Sequence, residues 1–288
     1  MAAVGGTADG ADGMMWDRDG YGGTLAPNVV VPGLSRQLVI TAVDVWGHAV
    51  QLRGTAEVDR ATPFWFPSAW GVATDLGSTH SFHGGGAGSH SWAYLFVPSL
   101  PAGAQELRIF VGPERTQFEV GGELPPEPAL TIALPAAPLT VRQAAAVLDP
   151  AATQPRPGFM GDVERSPVRP TRVIPVSTAL DGAGERDLCV LNIDVRSEWF
   201  AVHVGGGGPL SVGDDVQETA VRLLKYNWWG TDDRGGHYAG SVCSSHSGFA
   251  WTMTATLAPA LDPEARALTL TFPYPFGTGA VTATVDLR

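Results

Sequence analysis

Apolar residues along this chain recur mostly at every second position. Val39 to Val45 and Val50 to Leu52 alternate, as do Val190 to Val195 and Phe200 to Val204. Leu107, Ile109 and Val111 make one period-2 face, and Leu268, Leu270 and Phe272 make another. Successive side chains on a strand point to opposite sides of a sheet, so this period predicts half-buried strands. Turn signals divide the runs: Asp75-Leu76-Gly77, Asp233-Arg234-Gly235 and the glycines Gly205 to Gly208. One stretch, Leu139 to Leu148 (LTVRQAAAVL), reads as a short helix ended by Asp149-Pro150. No apolar run reaches the ~18 residues that a membrane-spanning helix needs.

The strand pattern occurs twice. Val43-Asp44-Val45 is matched by Ile193-Asp194-Val195, and Trp70-x4-Asp75-x-Gly77 by Trp228-x4-Asp233-x-Gly235. A Gly/Ser/His-rich stretch follows each, ending at Trp92 or Trp251. A proline-containing turn and an alternating Leu-x-Ile or Leu-x-Leu run come next, and Ala129 to Pro135 parallels Ala280 to Leu287. The shared order predicts two copies of one unit of roughly 110 residues, an ordinary domain size. The divisions expected are a flexible acidic arm (1–27), copy one (28–137), a Pro-rich linker holding the short helix (138–172) and copy two (173–288). About seven short strands per copy favour antiparallel sandwiches over closed barrels. Trp70 should superpose on Trp228, and Trp92 on Trp251.

The run Asp233, Gly235, Tyr238, Trp251, Pro259, Ala265, Leu268, Leu270 resembles immunoglobulin-like domains of uncharacterised bacterial proteins. Asp75, Gly77, His80, Trp92, Pro98, Ala104, Leu107 and Ile109 form a weaker version. The resemblance implies an all-β chain of two tandem immunoglobulin-like antiparallel β-sandwich domains and carries no catalytic residue. The Arg-over-Lys and Ala/Gly/Pro bias also resembles actinobacterial proteins.

Composition narrows the function classes. Gly (36) and Pro (23) suit a turn-rich chain, and charged residues at 16% fall below the usual ~25%. The net charge is −11, the only lysine is Lys225, and the arginines form no basic stripe. Nucleic-acid binding and attraction to an anionic membrane are therefore disfavoured. The first residues lack a basic segment followed by an apolar one, so a cytoplasmic chain is expected. Cys189 and Cys243 do not form a disulfide framework, and a required bridge between them is not expected.

Candidate chemistry falls on the loops and the aromatics. His80, His83 and His90, and then His237, Cys243 and His246, are residue types that ligate metals. Their spacings match no closed zinc pattern, and their Gly/Ser surroundings favour solvated hairpin loops. Ser244-Ser245-His246 lacks a nucleophile elbow, and the glycine runs lack the phosphate-binding patterns. The adjacent acids Asp232 and Asp233 read as turn residues. No cofactor is expected. Phe64, Trp65, Phe66, Tyr226 and Trp229 are the binding candidates, because consecutive aromatics on a strand cannot all face one core. The expected function is a non-enzymatic structural or protein-binding module, or a self-associating one, with these aromatics at an interface. The alternatives are a carbohydrate-binding module with exposed Trp rings and a metal-dependent enzyme built on the loop histidines.

Overall fold

The computed structural model describes residues 20–57, 66–67, 69–87, 91–115, 124–150, 168–184, 188–207, 227–246, 250–274 and 279–288. The side chains of residues 66, 86–87, 114–115, 207, 227, 243–246 and 250 are excepted. The described residues are all-β. The first lobe contains β1 (Tyr21–Leu25), β2 (Val29–Val30), β3 (Leu38–Trp46), β4 (Val50–Ala56), β5 (Phe66–Pro67), β6 (Trp70–Thr74), β7 (Thr79–Ala87), β8 (Ser91–Val97), β9 (Glu106–Val111), β10 (Glu114–Arg115) and β11 (Leu130–Ala133). The second contains β12 (Arg142–Asp149), β13 (Arg172–Asp181), β14 (Cys189–Val195), β15 (Phe200–Gly207), β16 (Asn227–Asp232), β17 (His237–His246), β18 (Ala250–Ala258), β19 (Ala267–Pro273) and β20 (Ala280–Asp286).

Both lobes curl rather than split into two layers. The first is an open, barrel-like sheet ordered β1-β3-β4-β8-β7-β6-β9-β11, with β2 also on β3. The second is a closed barrel, β12-β13-β14-β15-β18-β17-β16-β19-β20. The expected sandwiches are corrected here, for a specific reason. Alternation shows that each strand has a buried face, but not whether the opposite wall belongs to a separate sheet. In this chain β8 pairs with both β4 and β7, and β18 with both β15 and β17, so each lobe remains one hydrogen-bonded wall.

One element and two boundaries also change. The stretch read as a helix is β12, with strictly alternating burial from Arg142 to Asp149. It runs parallel to β13 and antiparallel to β20, so part of the expected linker closes the second barrel. Ala144, Ala146 and Leu148 pack on the second core, whereas Val147 points out. Residues of the expected acidic arm form β1, which pairs with β3. Residues 1–19 and 151–167, the remainder of the arm and part of the linker, lie outside the described residues.

The two strand orders correspond position by position from β1/β13 to β11/β20. In β3–β4 the pairs Asp44↔Gln51 and Val43↔Leu52 have the same places as Asp194↔Ala201 and Ile193↔Val202 in β14–β15. Even the bulges agree, between Ile40 and Ala42 and between Val190 and Asn192. Trp70 and Trp228 occupy equivalent sites on β6 and β16. Trp92 and Trp251 do not: Trp92 stands opposite Gly54, whereas Trp251 stands opposite Gly206, two residues beyond the counterpart of Gly54. The position matching Trp92 is Met253, so that expected superposition is out by one inward-facing site.

Each interior is filled by side chains. Trp228, Trp251, Phe200, Met253 and Phe272 are fully buried in the second lobe, with the Trp228 and Phe272 rings stacked at 4.7 Å. Trp70, Trp92, Tyr94 and Phe96 fill the first. The outward faces of β3 and β14 are buried as well, because the lobes pack against each other there. Trp46, Ala49 and Leu95 meet Cys189 and Leu191 in a small apolar cluster, with Tyr21 beside Trp46 at 4.9 Å.

Candidate functional site

The chemically richest place among the described residues lies between the lobes. Its core is one spacing used twice: Asp44 precedes Arg53 by the same nine residues that separate Asp194 from His203. On β3–β4 and β14–β15 that spacing puts each acid and its partner on the outer face of a hairpin. The Arg53 guanidinium grips Asp44 through Nε, and through Nη2 at 2.9 Å. The same Nη2 donates across the interface to Asn192 Oδ1 at 2.5 Å. Asn192 Nδ2 donates to Asp194 Oδ1 at 2.7 Å. His203 Nε2 lies 3.1 Å from Asp194 Oδ2, and its Nδ1 lies 2.9 Å from Thr254 Oγ1.

The chain of contacts continues on the other side. Thr24 Oγ1 donates to Asp44 Oδ1 at 2.5 Å, and Tyr21 OH is 2.6 Å from that hydroxyl. Thr24 N donates to Ser177 Oγ at 2.9 Å, which ties β1 to β13. Asp44, Arg53, Asn192, Asp194, His203 and Thr254 are all buried. Outside the cluster, Val168 O accepts from Thr55 Oγ1 of one lobe at 2.6 Å and from Arg196 Nη2 of the other at 2.9 Å.

Burial alone would neutralise such groups, and Asp194 and Arg53 are held charged by their neighbours. It pushes the Asp194 carboxyl up, but His203, Arg53 and Arg196 outweigh it and hold the group below its usual range. For Arg53, burial lowers the guanidinium, and Asp44 and Asp194 more than reverse this. Because Asp194 titrates lower in the folded chain than the ordinary ~3.9, it stabilises the fold above that pH. The contribution is lost as pH falls through the folded value. Urea midpoints measured from pH 7 to pH 2 should therefore fall on the acid side, and Asp194→Asn should flatten that limb. An unchanged limb in the variant would contradict the assignment.

A hydroxyl, an imidazole and a carboxylate in series are the groups of a nucleophilic relay. Here Thr254, His203 and Asp194 are buried, and their hydrogen bonds join strands. In this arrangement they orient one another.

The candidates expected from sequence fall elsewhere. His80 is buried: its Nδ1 donates to Pro98 O at 2.6 Å, and Ser78 Oγ lies 3.3 Å from Nε2. Its counterpart Tyr238 donates to Asp232 Oδ2 at 2.5 Å and accepts from Asp262 N at 3.2 Å. Burial, followed by the bond to Asp232, pushes the Tyr238 phenol up to about 12. His83 and His237 are exposed. Among the described residues no three His, Cys, Asp or Glu side chains gather as a metal site. Trp229 is half-buried on β16, opposite Ala239 and Thr271. Phe64, Trp65, Tyr226 and His90 lie outside the described residues, as do the side chains of Phe66, Cys243 and His246. Cys189 is buried.

The repeated aspartates work as braces. Asp75 Oδ1 accepts from Gln105 N at 3.0 Å and Glu106 N at 3.1 Å; Asp233 Oδ1 accepts from Arg266 N at 2.9 Å and Ala267 N at 3.3 Å. Each carboxylate ties the turn before β7 or β17 to the first rung of β9 or β19. The backbone donors hold Asp233 below its usual range. Asp233→Ala should lower the Tm and speed amide exchange at Arg266 and Ala267; unaltered exchange there would show that the brace is dispensable.

No family model matches the chain, and no curated protein is similar to it. One solved structure, described as the crystal structure of the conserved domain protein from Bacillus anthracis, aligns over 92% of this chain and 92% of its own. The identity is 9% and the TM-score 0.27, a likeness too slight to bear on fold or function. The described residues contain no helix long and apolar enough to cross a membrane.

Proposed function

We propose that the chain is a non-enzymatic, duplicated β module whose two lobes form one rigid body that binds a protein partner. The observation that carries this reading is the Arg53–Asn192 contact, in which the ion pair of one lobe supplies a donor to the polar chain of the other. Duplication is supported by the matching strand orders, registers and bulges, and by the Asp44/Arg53 and Asp194/His203 spacing that recurs in both hairpins. The module reading is supported by how the reactive side chains are used. Asp75, Asp232, Asp233, His80 and His203 satisfy hydrogen bonds within the fold, where a reaction would need them free to meet a substrate. A rigid body keeps the surfaces of two lobes in fixed relation, which reduces the ordering cost of binding a partner.

Two measurements test the reading. Small-angle scattering of the full chain should fit one body of fixed shape. A photo-crosslinking residue placed at exposed strand positions, Phe82 or Val147, should give discrete protein adducts in the source cell. Lobes that move independently would defeat the rigid-body claim. An enzymatic activity abolished by His203→Gln in a folded chain would defeat the non-enzymatic one.

A further inference from the structure

The walls of the two lobes differ at one seam. In the second lobe β16 is joined to β17 by five rungs, from Thr231↔His237 to Asn227↔Ser241. In the first lobe β6 and β7 share only Ala73↔Thr79 and Val72↔His80. Among the described residues no rung joins Gly71 to Ser81 or Trp70 to Phe82, although the matching pairs Trp229↔Ala239 and Trp228↔Gly240 are made. β6 instead stays with β9, and the ribbon continues as β5 with β10.

The cause can be read at one position. A Cβ on Gly240 would overlap the carbonyl oxygen of Thr256 on β18, so the path that β17 takes along β18 requires glycine there. The first lobe has Phe82 at that place, and the bulge that follows falls at His83 instead of two positions later at Cys243. β7 therefore turns away from β6. The Phe82 ring rests edge-on against Tyr94 at 5.6 Å and Phe96 at 5.9 Å, yet stays 44% exposed. On the outer side of β6 a Cβ at Gly71 would meet Leu124, which is also exposed. Among the described residues, two of the five exposed large apolar side chains thus border the strand edges where pairing stops.

We propose that this parted seam is a strand-acceptor site for an extended segment of a partner protein, an inference that rests on the protein-binding reading above. The occupant is identified by what the edge offers. Among the described residues, no strand pairs with Trp70 and Phe82 on the side where β16 and β17 pair Trp228 with Gly240, and only another extended backbone matches that spacing. Phe82 and Leu124 add apolar contact for alternate side chains of the incoming strand. A sugar ring would use the aromatic surface but leave the main-chain rung unmade.

Amide hydrogen exchange on the full chain tests this without a known partner. The Trp70 and Phe82 amides should exchange at least tenfold faster than those of Trp228 and Gly240. The probe is a capped peptide with the sequence of Asn227–Asp232, the strand that fills the equivalent edge in the second lobe. At saturation it should slow exchange at Trp70 and Phe82 and leave Trp228 and Gly240 unchanged. The same peptide with N-methylated amides should have no effect. Phe82→Gly should zip the seam, protecting both amides without peptide; if that variant fails to fold, the N-methyl comparison on the native chain still decides. Equal exchange in the two lobes, no protection by the peptide, or equal protection by its N-methylated form would each overturn the proposal. Equal exchange would leave the rigid module standing, whereas independently moving lobes in scattering would remove the module and leave the exchange result intact.

Discussion

Arg53→Ala is expected to destabilise the chain by about 3–5 kcal/mol, the usual loss when one partner of a buried ion pair is removed. The guanidinium bonds both Asp44 and Asn192. Without it a buried carboxylate loses its counter-charge, and Asn192 Oδ1 loses a donor. Urea unfolding followed by tryptophan fluorescence gives the loss directly. A second outcome separates the two roles of Arg53. Replacing both members of the pair, as Asp44→Val with Arg53→Met, removes the uncompensated charge and should recover much of the stability, since apolar replacements of buried pairs are often neutral. It cannot restore the bond to Asn192. The double variant should therefore be stable yet unfold in two steps, lobe by lobe, where the native chain unfolds in one. A loss below about 0.5 kcal/mol in the single variant, typical of surface substitutions, would mean that the cluster is hydrated and the lobes are not locked by it.

How much of this was legible in the residues depends on the range over which each contact acts. The strands and the repeated turns are local. Asp75 and Asp233 stood out because a brace between a turn and the next strand fixes both spacing and residue type, and the motif shared by the two copies is the record of that brace. The barrel walls were not legible. Alternation in β4 or β15 says that one face is buried, and the identity of the facing strand is a long-range fact. β12 misled for a related reason: Ala144, Ala145 and Ala146 favour helix, but their alternate burial is imposed by β13 and β20, distant in sequence. The polar interface has a usable signal of its own. Val43-Asp44-Val45 and Ile193-Asp194-Val195 are each followed, nine residues after the aspartate, by a basic side chain. An acid and a base repeated at one offset on the outward face of a hairpin point to a pair facing another surface. Asn192 had no such signal, because its counterpart is Ala42 and its partner Arg53 belongs to the other lobe.

Gly54→Ala should be among the most damaging single-methyl substitutions in the chain, whereas Gly84→Ala should be nearly silent. Both glycines lie in strands of the first lobe, and in the sequence Gly84, within a run of three, looks the more constrained. The surroundings reverse that order. A Cβ on Gly54 would overlap the Val39 carbonyl oxygen and approach Trp92 Cζ2 to 2.7 Å, while at Gly84 it would meet nothing within 4 Å. Gly54 gives the Trp92 indole its seat across the β4–β8 ladder, where Trp92 Nε1 donates to Thr55 O at 3.3 Å. Relief requires either moving a buried tryptophan or spreading β3 from β4, and these same strands carry Asp44 and Arg53. Overpacking typically costs ~1–3 kcal/mol and occasionally more; a backbone oxygen cannot rotate away as a side chain can, so Gly54→Ala belongs at or above the upper end. Thermal unfolding of the two variants beside the native chain gives the comparison. Because the strained strands carry the ion pair, Gly54→Ala should also loosen the lobe contact and speed exchange at Thr24 N, which donates to Ser177 across the interface. Equal melting of the two variants would mean that β3 and β4 separate easily, and the outer face of that hairpin could not then hold the Asp44–Arg53 pair in register with Asn192.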